Sequence, residues 1–155
     1  MMRFSLLVIL TAFAGCSGRI DPMTPLRDAT SFELYSLDPM ERTEFDANAG
    51  FHGWKILGTT QVDDATTRKK LAEALSSGIA ENEGVVNMCF DPRHGIRVTV
   101  DGRQYDYVIC FECYSARCYI DGKQNLGFLT TESPQSEFDR ILANASVELA
   151  APPPK

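Results

Sequence analysis

Apolar residues along this chain change period several times, and each change marks an element. In SFELYSL, Ser31 to Leu37, they alternate: Phe32, Leu34 and Ser36 fall on one side, Glu33, Tyr35 and Leu37 on the other. That is the two-residue period of a strand. WKILGTTQV, Trp54 to Val62, reads as a second strand. From Asp63 the period lengthens, and Leu71, Ala74, Leu75, Gly78 and Ile79 recur at the helical spacing of one buried stripe. Asp63 or Asp64 supplies the cap, accepting the free amide hydrogens at the positive end of the helix.

The strongest local signal is IRVTV-DG-RQYDYVIC. Asp101-Gly102 stands between two alternating apolar runs, and a tight hairpin turn needs positive φ at both central residues. Paired residues then have numbers summing to 203: Val98 faces Tyr105, Ile96 faces Tyr107, and Arg97 meets Asp106. A second Asp-Gly, at 121–122, lies between ARCYI and KQNLGFL and predicts another hairpin. Ser133-Pro134 reads as a cap followed by proline at the first helical position, opening a last helix with Phe138, Ile141, Leu142 and Ala145 on one stripe. The order β-β-α-β-β-β-α, with hairpin-linked strands, predicts an α+β fold: an antiparallel sheet of about five strands packed on one face by helices.

The first residues are MMRFSLLVILTAFAGCSG. Arg3 precedes an eleven-residue apolar run, Phe4 to Ala14, which ends in small residues before Cys16. A membrane-spanning helix needs about 20 apolar residues, so this layout is that of a secretory signal. Phe13-Ala14-Gly15-Cys16 also resembles the bacterial lipobox. The resemblance implies cleavage before Cys16, a diacylglyceryl group on its sulfur and an acylated amino terminus, the several chains that stable anchoring requires. Ser17 follows where aspartate would favour inner-membrane retention, so the outer membrane is favoured. Residues 1–15 are then the signal peptide and 16–30, with two prolines and no periodicity, the lipidated cysteine and its tether. A single domain occupies 31–148 and a proline-rich tail 149–155. Removing the signal leaves 140 residues and moves the formal charge from −6 to −7 as Arg3 is lost. An acidic domain without a basic stripe is a poor candidate for nucleic acid. The expected partners are the membrane, through the anchor, and an envelope protein or small ligand.

The candidate chemistry lies in CFDPRHG, Cys89 to Gly95, and ICFEC, Ile109 to Cys113. Extending the 203 register brings Cys89, His94, Cys110 and Cys113 to one end of one hairpin. Cys110 and Cys113, three apart, point to opposite faces of a regular strand, so they meet only if a bulge or turn intervenes at Phe111-Glu112. Three chemistries fit. Exported domains use disulfides; Cys89–Cys113 or Cys89–Cys110 would close a loop that stabilises by about 3 kcal/mol. Zinc would take Cys89, His94, Cys110 and Cys113 as a filled tetrahedral, structural set. Thiol–disulfide exchange is the third, though Glu112 and the strand context differ from the helix N-terminus that activates such thiols. A Cys89–His94 nucleophile lacks an oxyanion donor, and Asp63-Asp64, Asp106 and Glu112 read as cap and solvated strand positions. His94 by itself reads as a polar turn residue, Trp54 as a core residue after a turn, and Cys118 as a free or packed thiol.

With GWKILGTT and KKLAEALSSGIAE, the two motifs are similar to an uncharacterised family of small exported bacterial proteins over roughly Phe51 to Cys113, more weakly over SPQSEFDRIL. The matching positions are Cys89, Phe90, Pro92, Arg93, His94, Gly95, Cys110, Phe111 and Cys113. The resemblance implies no activity or cofactor. There is no phosphate-cradling glycine loop, nucleophile elbow or HExxH, so no catalytic residue is assigned. The expected function is a non-enzymatic binding or envelope-assembly module, with a zinc module or a thiol–disulfide oxidoreductase as alternatives.

Overall fold

The computed structural model describes residues 21–42 and 50–152. Cys16 and the expected signal segment lie outside them. Along the chain run α1 (Thr24–Asp28), β1 (Ser31–Arg42), β2 (Trp54–Gln61), α2 (Ala65–Glu81), β3 (His94–Val100), β4 (Arg103–Cys110), β5 (Ser115–Ile120), β6 (Lys123–Leu129) and α3 (Gln135–Asn144). The fold is α+β. Six strands form one antiparallel sheet in the order β2-β1-β3-β4-β5-β6, one more than the roughly five expected, since both arms of the hairpin predicted at the second Asp-Gly are full strands. The 203 register holds from His94↔Ile109 to Val100↔Arg103. Asp101 and Gly102 both take positive φ in its turn.

Period-2 alternation gives the sheet two distinct sides. Phe32, Leu34, Ile96, Val98, Tyr107, Ile109, Ala116 and Cys118 face the helices, where Leu71 and Leu75 of α2 and Phe138 and Leu142 of α3 complete the main core. The opposite side carries Tyr35, Leu37 and Val108, covered by Trp54 at the start of β2 and by Phe51 and Phe90 from the segments before β2 and β3. Trp54 is buried, as its place after the turn predicts. Asp64 caps α2, its carboxylate accepting from Thr67 N–H at 2.7 Å.

Four local expectations are corrected. Residues 22–29 are part of the fold, not a tether: Met23 and Leu26 are buried in the main core, and the Tyr107 hydroxyl donates to the Pro22 carbonyl at 2.7 Å. The proline-rich tail lies against the domain as far as Pro152, with the Ala151 carbonyl accepting from Arg93 Nε at 3.0 Å. Asp106 is not solvated but 1 % exposed, because Arg97 neutralises it across the strand pair. The last helix starts one residue late: Pro134 stands at its cap, and the Ser133 hydroxyl donates instead to Glu81 at 2.7 Å.

Candidate thiol and metal centre

The segment between α2 and β3, residues 82–93, forms no regular element and crosses the sheet side away from the helices. Side-chain and backbone bonds hold it there. Asn82 folds the chain after α2 by accepting from Gly84 and Val85 N–H and donating to the Thr130 carbonyl. Asn87 then pins the segment to the 110–114 turn twice: its backbone N–H donates to the Cys113 carbonyl at 3.1 Å and its side chain to the Glu112 carbonyl at 2.9 Å. Arg93 closes the far end, with Nη1 2.6 Å from Glu112 Oε2 and its carbonyl accepting from Leu37 N–H.

The turn required at Phe111-Glu112 is present. Tyr114 N–H donates to the Phe111 carbonyl at 3.1 Å, and Tyr114 sits at φ +56°, the left-handed region that reverses a chain tightly. The reversal swings Cys113 back towards Cys110, whose sulfur accepts the Cys113 N–H at 3.2 Å. The folded-back 82–93 segment brings Cys89 to the same point. The sulfurs of Cys89, Cys110 and Cys113 all lie within 4.8 Å of one another, and the Cys113 Cα is 5.6 Å from that of Cys89 and 5.2 Å from that of Cys110. Asp91 N–H points at Cys113 Sγ from 3.5 Å. Cys89 is exposed, while Cys110 and Cys113 are buried. The three thiols can therefore form a disulfide or coordinate a metal ion.

His94 does not join them. It pairs with Ile109 and so faces the helices, whereas Cys110, the next residue, faces the other way. Its ring packs against Phe111 and Phe138, and Nε2 lies 2.8 Å from Asp139 Oδ1. Burial works against the Asp139 carboxylate, but the His94 bond and charge outweigh it and hold that group below the usual carboxylate range. Cys118 is apart as well, buried on the helix side, where burial pushes its thiol up to about 11.

A second polar cluster, unforeseen as a unit, occupies the cysteine side of the sheet. Asp106 receives Arg97 in a two-point bond, 2.8 Å on each oxygen, together with His52 Nε2 at 2.7 Å and Gln104 at 3.0 Å. His52, at φ +51°, stacks on Tyr119 with ring centroids 3.7 Å apart. The Arg97–Asp106 pair was legible from the hairpin register, but His52 arrives from 54 residues away and left no local signal.

The chain matches no family model, no curated protein and no solved structure.

Proposed function

We propose that this is an exported, lipid-anchored envelope module whose working part is a three-thiol centre, Cys89, Cys110 and Cys113, that holds a soft metal ion, zinc foremost, when reduced. The observation that carries this reading is the meeting of three sulfurs from separate segments within 4.8 Å. A disulfide staple needs two cysteines; the third is what a thiolate-bound cation adds. Zinc binds sulfur at about 2.3 Å, which spaces tetrahedral thiolates about 3.8 Å apart, inside that limit. Backbone N–H groups on Cys110 and Cys113 sulfurs support the negative charge thiolates carry. Because His94 is committed to Asp139, the fourth position of the tetrahedron is left to water or an outside ligand, which favours binding over a closed structural site. The Phe13–Cys16 motif supports attachment through Cys16, with the outer membrane favoured. An envelope protein or small ligand would meet the open position.

The test uses the full chain, purified reduced and without air from zinc-supplemented cells. One zinc per chain is expected, retained in His94→Ala and lost in Cys113→Ser. A wild-type protein without zinc overturns the metal reading, and zinc lost from folded His94→Ala overturns the three-thiol geometry. The anchor is tested separately with a clickable fatty acid, which should label wild type and not Cys16→Ser.

A further inference from the structure

Three sulfurs, those of Cys89, Cys110 and Cys113, lie within 4.8 Å of one another, and Cys113 can carry only one disulfide bond at a time. The Cα separations, 5.6 Å to Cys89 and 5.2 Å to Cys110, both fall in the range of about 4.4–6.8 Å that disulfides span. The backbone therefore accommodates either bond. We infer that one disulfide passes between Cys89–Cys113 and Cys110–Cys113 by internal thiol–disulfide exchange, and that the second state presents Cys89 as a thiol able to react with a partner's disulfide. This uses the sulfurs of the metal reading but requires no metal.

The step is electron-neutral. Starting from Cys89–Cys113, the Cys110 thiolate attacks Cys113 Sγ; the Cys110–Cys113 bond forms as the Cys89–Cys113 bond breaks. The bonding pair leaves on Cys89, which takes up a proton equal to the one Cys110 gave up. The first disulfide arises when two of the thiols reduce a protein or small-molecule disulfide, which departs as two thiols. In the outward step, the Cys89 thiolate attacks a partner disulfide, giving a mixed disulfide and one released partner thiol. The centre is built asymmetrically for this. Cys110 and Cys113 are 1 % and 0 % exposed, so their bond is closed off from solvent. Cys89 sits on the exposed stretch after Val85, Val86 and Met88, which bare apolar surface beside it. The N–H groups of Cys113 and Asp91, aimed at the Cys110 and Cys113 sulfurs, stabilise the negative charge that moves through the attack.

The experiment takes the full chain oxidised to one disulfide, quenches it in acid, alkylates free thiols with N-ethylmaleimide and maps the linked peptides by mass. Two species are expected: Cys89–Cys113 with label on Cys110, and Cys110–Cys113 with label on Cys89. A single pairing, or a Cys89–Cys110 bond, overturns the inference. In a second measurement an aromatic disulfide reagent should mark Cys89 of the same oxidised protein. That mark should be lost in Cys110→Ser, where Cys89 has no rival for Cys113. Undiminished marking of Cys89 in that variant also overturns it. The wild-type map stands even where the variant fails to fold. Zinc content of the reduced protein is measured independently, so this inference and the metal reading fail separately.

Discussion

Gly95 lies in β3 with its α-carbon beneath the ring of Phe51; a β-carbon there would come within 2.7 Å of Phe51 Cε1 and 3.3 Å of Tyr35 Cβ. The ring is buried, stacked on Tyr35 at 4.3 Å and faced by the Arg97 guanidinium, so it has little room to retreat. Gly95→Ala is expected to cost about 1–3 kcal/mol by overpacking, read as a lower urea midpoint with an unchanged slope. A loss under about 0.5 kcal/mol would mean the ring moves aside freely. At this scale the sequence was legible wherever partners were strand neighbours. The separation of His94 from the thiols was legible too: the 203 register sets His94 opposite Ile109, and the residue after Ile109 must face the other way. Proximity in register was read there without parity. His52 and Asp139 were not legible, since nothing near Asp106 or His94 in the chain announces partners about 45 to 54 residues away.

Elements were legible in proportion to their periodicity. The β3–β4 hairpin, the α2 stripe and the last helix all follow from it. α1 does not: five residues are too few to display a helical period, and Pro22 before it and Pro25 in its first turn read as punctuation. Its contribution is tertiary, since Met23 and Leu26 fill the core beside α2 and Pro25 is also buried. Leu26→Ala is accordingly expected to destabilise by about 2–5 kcal/mol, measured by thermal or denaturant unfolding. A change below about 1 kcal/mol would return residues 22–29 to the status of a tether. The 110–114 turn shows the opposite case: spacing stated what was needed there, but no glycine advertised the left-handed residue, because Tyr114 fills that position itself.

For the molecule as a whole, the pH dependence of stability is set in part by Asp106. Burial alone would raise its pKa, but the bonds and charges of Arg97 and His52 overcome this and hold it below the usual value. A group depressed in the folded state contributes fully above its unfolded pKa, about 3.9, and loses that contribution as pH falls through the folded value. Asp139 acts in the same sense through His94. The urea midpoint should therefore fall below about pH 4 on account of these groups. Asp106→Asn should cost about 1–3 kcal/mol at neutral pH, because it removes the charge partner of the partly exposed Arg97 inside a buried hydrogen-bond cluster, and should flatten the acid slope. An acid slope unchanged in that variant would remove Asp106 from the account.

The docking of α1 also sets a reach. From Cys16 to Asp21, where the described chain begins, there are five peptide steps, at most about 18 Å fully stretched. A lipid carried on Cys16 would hold the domain against the bilayer like a boat on a short mooring line, with the Asp21 end turned to the headgroups. Whatever meets Cys89 would then have to come to a domain held near the membrane, since the domain could not swing far out to look for it.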